Sequence, residues 1–361
     1  MTGEERAHRR RAVLRGATFT AAGATAGLFA GPAVHAATGG DTETGPWRHV
    51  APGDSIADAV AGGARAIALG EGDYPVDETL VLPHGCQVRG IGQLTRLVPA
   101  EGVGTVLAIG EGGPAYGVQV ADLAIDCSPG AATAVDVHIV GREGNWKGDN
   151  DAACRLDNLW IWGPAEDGVV YRGTDNRSVV TSRVRVRQAG RYGFRIGESS
   201  ESAPSDCWWI ACEATTTTAT GSSAGFLVRG ANHFLQACKA WYCRDYGFHV
   251  LGTRNKFLGC EAQDTRSHGF NIEWDMNLFN GCSADTAGMW DVGGRPDEAD
   301  GFYVADGDRT SITGCQSFDR GPKGRPPQQR FGFNVPATML DEGRLSGHSG
   351  WDNVRGLVNR R

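Results

Sequence analysis

The sequence predicts an all-β right-handed parallel β-helix, and three observations carry that prediction: a period of 22 residues, a composition of 53 Gly with only 8% aromatics, and short apolar alternations inside each repeat. Cys238, Cys260 and Cys282 stand 22 residues apart, as do Gly225, Gly247 and Gly269. Phe257-Leu258-Gly259-Cys260-Glu261-Ala262 aligns without gaps on Leu235-Gln236-Ala237-Cys238-Lys239-Ala240 and on Phe279-Asn280-Gly281-Cys282-Ser283-Ala284. Gly-Phe recurs at Gly193, Gly301 and Gly332. A unit of this length cannot bury its own apolar face, so units stack into a solenoid, here of about 9–10 coils.

Stacking at the strand spacing of about 4.8 Å piles equivalent residues above one another. Cys212, Cys238, Cys260, Cys282 and Cys315 then form one internal column. Side chains stacked in register point in parallel, so these thiols read as small core residues rather than disulfides. The Phe of each Gly-Phe forms a second internal column. Asn255 and Asn277 recur before the Cys strand, where Asn is expected to hold a tight turn in left-handed geometry.

The ends follow the same logic. Asp54-Ser55 caps a short helix through Ile56, Ala59 and Val60, a plug for the N-terminal end over about 50–65. Ala66–Leu69, Thr79–Leu82 and Gln87–Arg89 read as the first strands. Residues 337–361 leave the repeat and are expected to cap or cover the C-terminal end. The capping helix, the Gly-rich turns and Gly90-Ile91-Gly92 resemble the opening of the pectate-lyase-like superfamily of right-handed parallel β-helices. That resemblance runs over roughly residues 50–340 and implies the fold, not one activity.

Residues 1–37 read as a leader. Arg9, Arg10 and Arg11 precede Ala12-Val13-Leu14-Arg15, a small apolar stretch runs from Gly16 to Ala33, and Val34-His35-Ala36-Ala37 offers a small-residue cleavage site. The pattern resembles twin-arginine export, implying the Tat translocon as a transient partner and a secreted domain over 38–361. No later apolar run is long enough to span a bilayer. Without its leader the chain carries 30 basic against 40 acidic residues, which argues against nucleic acid as a partner. No tight cluster of acids demands a metal, so no cofactor is expected; Ca²⁺ has no motif of its own.

Extra length collects at one corner. From each Cys to the next Gly-Phe the gap is 9 residues as a rule, but 13, 19 and 17 around 215–223, 289–300 and 320–330. Loops on one edge of a rigid scaffold are common walls of binding sites. The last carries Arg320, Lys323, Arg325 and Arg330 with no acid, a local basic patch.

Beside that corner runs the Gly-Phe strand, whose outward residue lies between its two inward ones. The outward column reads Arg195, Leu227, His249, Asn271, Tyr303, Asn334. The residues before each Gly form a neighbouring column: Tyr192, Ala224, Tyr246, His268, Asp300, Phe331. Arg229 and Glu273 lie one step past the strand. We therefore take His268, Tyr246, His249 and Asp300 as candidate catalytic residues, and Arg195, Arg229, Asn271, Glu273, Tyr303 and Trp274 as candidates for binding substrate. His and Tyr stacked in this way suit proton removal beside a carboxylate, one as base and the other as acid, with Arg or Asn neutralising the developing enolate.

Ser267-His268-Gly269-Phe270-Asn271-Ile272 resembles the Arg-His-Gly-Phe-Asn-Val of the bacterial mannuronan C5-epimerases, and Tyr246-Gly247-Phe248-His249 is similar to the start of their Tyr-Gly-Phe-Asp-Pro-His. The resemblance implies a role for His268, Tyr246 and His249 in C5 chemistry on a uronate-containing polysaccharide, as lyase or epimerase. Ser267 stands in place of the family's Arg, and the Asp-Pro-His triplet is missing. Three other readings stay open. One is a glycoside hydrolase or transglycosylase using Glu273 and Asp300 as its carboxylate pair. Another is an isomerase or cyclase on a small metabolite. The third is a non-catalytic glycan-binding module presenting Trp160, Trp162, Trp241, Trp274 or Trp290.

Overall fold

A computed structural model describes residues 46–361 except 112, 114, 139–152, 174–176, 200–201, 218–222, 307–308 and 322–323. The expected leader lies outside the described residues. Every strand pair among the described strands is parallel, and the chain winds as a right-handed parallel β-helix. Each coil has three sides. Side one is an 11-stranded sheet holding the Gly-Phe strands, such as Tyr246–Val250. Sides two and three share a 20-stranded sheet, as in Lys256–Leu258 and Glu261–Thr265. Eleven strands line side one, close to the expected 9–10 coils; five of them, among them Leu80–Leu82 and Gly356–Arg360, lack Gly-Phe.

The core is columnar. Phe194, Phe226, Phe248, Phe270, Phe302 and Phe333 stack with ring centroids 4.5–4.9 Å apart and planes within 11°. The glycine before each Phe has a steric cause. A Cβ on Gly247 would sit 2.6 Å from the Gly269 carbonyl of the next coil and 2.7 Å from Ala262 Cβ. The five column cysteines are buried and free. Their thiols instead donate to backbone carbonyls, Cys260 Sγ to Leu235 O at 3.4 Å and Cys282 Sγ to Phe257 O at 3.4 Å.

Two expectations are corrected here. Asn255 and Asn277 do not adopt the left-handed geometry; Arg254 and Met276 before them do. The two Asn side chains turn inward as a ladder: His233 N donates to Asn255 Oδ1, and Asn255 N to Asn277 Oδ1, both at 2.9 Å. Burying the carboxamides satisfies corner N–H groups that face no strand. Residues 337–361, expected to leave the repeat, rejoin it. After a helix at Ala337–Asp341, Leu345–Ser346 pairs with the Ser311–Thr313 strand and Gly356–Arg360 with Phe331–Val335. At the other end Ser55 caps Ile56–Ala61, its hydroxyl accepting from Asp58 N at 3.0 Å, with Ile56 and Ala59 buried. No helix among the described residues is long and apolar enough to cross a membrane.

Candidate active site

Register places the outward column of side one as the period implies. Arg195 pairs with Leu227, Leu227 with His249, His249 with Asn271, Asn271 with Tyr303, and Tyr303 with Asn334. The neighbouring column is likewise built, with Tyr192 beside Ala224 and Ala224 beside Tyr246.

Aromatic stacking binds the centre together. His268 lies between two rings, Tyr303 at 4.6 Å and 8° and Tyr246 at 6.0 Å and 14°. Tyr246 in turn tilts against His249 at 4.8 Å. His268 Nδ1 accepts the backbone N–H of Asp300 at 2.9 Å. A ring nitrogen that accepts carries no proton, so the neutral imidazole holds its hydrogen on Nε2. Burial pushes this imidazole down to about 4 against the opposing pull of Asp300, and its side chain keeps 15% exposure. At neutral pH His268 is therefore an uncharged donor through Nε2.

His249 is buried, and burial lowers its pKa although Glu273 pulls the other way. Its Nε2 lies 2.8 Å from Glu273 Oε1, which also receives Asn271 Nδ2 at 2.9 Å. Glu273 keeps 41% side-chain exposure and is the open carboxylate of the group. Burial, then Asp245 and Glu273, raise the Tyr246 hydroxyl above its ordinary value.

Asp300, expected to be catalytic, is not presented to a substrate. Its carboxylate is fully buried and accepts Arg330 Nε at 2.9 Å, Arg330 Nη2 at 2.6 Å, Phe331 N at 3.2 Å and Asn334 Nδ2 at 2.8 Å. It acts on His268 through its backbone N–H and by proximity, at 3.8 Å from Nδ1. The carboxylate pair Glu273 and Asp300 is accordingly not assembled as an acid and base. The basic patch at 320–330 is also neutralised, because acids arrive from other coils: Asp264 and Asp285 on Arg320, Asp291 on Arg325, Asp300 on Arg330. Lys323 lies outside the described residues.

Below the stack, Arg195 reaches the buried carboxylate of Asp167 at 3.4 Å, which Arg191 already holds at 2.8 Å. Arg229 has no acidic partner among the described residues; its Nη1 meets only Gly197 O at 3.4 Å, and burial lowers its pKa. Trp274 is 51% exposed beyond the far end of its strand, apart from the stack. Tyr303 carries Arg361 over its ring at 4.7 Å. Periodicity put Asn334 in the outward column without revealing its bond to Asp300, and it missed Arg330 and Arg361 as supports, since they come from an insertion and from the last strand's end. It also missed Asp245, whose carboxyl burial raises to about 6 beside Tyr246. An acid immediately before the Tyr of a Gly-Phe strand was the available signal.

Residues 145–317 match the family described as "Right handed beta helix region". No curated protein matches the sequence. Among solved structures, the A-module of a mannuronan C-5 epimerase from Azotobacter vinelandii superposes with a TM-score of 0.54 at 12% identity, over 84% of this chain and 92% of that one. A protein of Geobacillus virus E2 gives 0.53 at 13% identity, over 71% of this chain and 50% of that one. The catalytic domain of a GH87 α-1,3-glucanase, in complex with tetrasaccharides, gives 0.52 at 14% identity over 90% and 70%. At these identities the likeness is one of fold.

Proposed function

We propose that the protein is an enzyme acting on an extracellular uronate-containing polysaccharide, removing the C5 proton on side one as a lyase or an epimerase. The observation that carries this reading is the Tyr246–His268–Tyr303 stack with His268 fixed as a neutral Nε2–H donor. That tautomer has no free lone pair, so of the two residues Tyr246 takes the proton, after losing its own. His268 donates to the substrate carboxylate as charge moves onto it, and Asn271 and Arg229 flank the same face. Return of a solvent proton to C5 on the opposite face gives the epimer; cleavage of the C4–O4 bond, with the leaving oxygen taking up the proton that Tyr246 removed, gives the unsaturated lyase product. The epimerase and glucanase among the structural neighbours are named for carbohydrate substrates, which agrees with a glycan ligand.

A panel of polyuronates tests this. Ultraviolet absorbance of the unsaturated product reports elimination, and solvent hydrogen exchange at C5 without absorbance reports epimerisation. Tyr246→Phe is expected to lower turnover by about 10²–10⁴-fold. Because the Tyr246 hydroxyl is raised, the reactive phenolate is the minor form at neutrality and kcat should climb with pH above 7. Neither signal with any uronan, or a limb near pH 6.5 that vanishes in His268→Gln, would overturn the assignment.

A further inference from the structure

Side three, one corner away from the stack, is built differently and the reaction proposed above does not use it. Its outward positions stack from coil to coil: Trp162 below Arg187, then, past a register irregularity after Val186 and the Glu213–Thr216 strand, Trp241 below Gln263, Asp285 and Phe318. Aromatic rings therefore recur at every third coil, about 14 Å apart along the axis. Each step is a doublet. Trp160 accompanies Trp162, Tyr242 accompanies Trp241 at 5.5 Å, and Trp351 stacks on Phe318 at 4.4 Å and 8°. Trp162 and Trp351 are each 49% exposed and Tyr242 is 37% exposed.

The ground between the steps is flat and polar. The Arg185 guanidinium lies 4.6 Å over Trp160 and that of Arg187 4.9 Å over Trp241, so each covers one ring face and leaves the other face and the edges to a ligand. Charges here close on themselves. Arg185 and Arg187 share Glu213, Lys239 meets Glu261, and Arg320 meets Asp264 and Asp285. Four cations thus face four carboxylates, so these paired groups present no free cation to a polyanion. Side one differs, since Arg229 there has no acid.

We propose that side three binds a neutral glycan laid along the solenoid axis. The C–H faces of pyranose rings would stack on the aromatic doublets. Hydroxyls would bridge the planar guanidinium, carboxylate and carboxamide groups between them, the recognition expected of aromatic surfaces rimmed by fixed polar groups. One pyranose unit advances a chain by roughly the height of one coil. A chain of six therefore spans two steps where a disaccharide reaches only one. This inference is independent of the reaction on side one.

Calorimetry and tryptophan fluorescence on the mature protein test it, using neutral gluco-, manno- and xylo-hexasaccharides with their disaccharides. At least one hexasaccharide is expected to bind about tenfold tighter than its disaccharide. Trp162→Ala and Trp241→Ala should each weaken it about tenfold. Tyr246→Phe should leave it unchanged, and a polyuronate should not compete. Trp162 is half exposed, so its variant carries the test even if Trp241→Ala fails to fold, as circular dichroism would report. The proposal is overturned if no hexasaccharide binds, if the Trp162 variant binds as well as the parent, or if polyuronate displaces the ligand. A dimer in sedimentation that Trp162→Ala dissolves, without glycan binding, would assign the face to a second copy instead.

Discussion

Sides one and three share one backbone plan and one period, yet they handle charge in opposite ways. On side one the ionisable groups are driven away from their ordinary behaviour: His268 and His249 are held neutral by burial, Tyr246 is raised, and Asp300 is sealed beneath four donors. On side three the charges are mutually paired, with partly exposed cations closing on carboxylates that include the buried Asp264 and Asp285, and aromatic rings fill the space between. Perturbed titration marks a surface prepared for proton transfer, whereas closed pairs and exposed rings mark one prepared for contact.

The ion pairs themselves offer the strongest way to break that comparison. Arg330→Met strands the fully buried Asp300 carboxylate and should cost about 3–5 kcal/mol in denaturant unfolding. A loss below about 1 kcal/mol would mean that Asp300 is solvated, and the contrast between the faces would fail. Acid sharpens it next. His268 and His233 both titrate near 4 when folded, against 6.5 ordinarily. Between those values the unfolded chain takes up protons that the folded chain refuses. Stability should therefore fall as pH drops from about 6.5 to about 4, by on the order of 3 kcal/mol for each group. Replacing His268 by Gln should remove its share of that slope; an unchanged slope would show that it titrates normally.

Smaller effects separate the ligands. Arg229→Gln should weaken polyuronate binding about tenfold and leave neutral hexasaccharide affinity alone. Equal losses for both ligands would mean one shared surface. Lys239→Ala removes a pair with a third of each side chain exposed, and should change stability by less than about 1 kcal/mol.

The repeat alone indicated which residues lie above one another, and the registers through His249, Asn271 and Tyr303 follow it. It was silent where partners come from different coils or insertions. Arg330 and Asp300 are 30 positions apart in the chain and outside the regular spacing, so their pairing had no periodic trace. The same blindness made the 320–330 loop look basic, since its acids lie on Asp264, Asp285, Asp291 and Asp300. Asn255 and Asn277 were legible as turn residues, but whether such a residue bends the backbone or feeds it hydrogen bonds depends on what the corner leaves unpaired.

Sequence by itself determined the solenoid, its internal columns of Cys and Phe, and the outward order of side one, because a fixed period stacked at a fixed rise leaves little freedom. Tertiary structure decided which outward groups are open and which are locked. Burial and partners drawn from neighbouring coils turn Asp300 into a support, fix the proton of His268 on Nε2 and leave Glu273 exposed. Those are properties of distance and dielectric, and a one-dimensional pattern does not contain them.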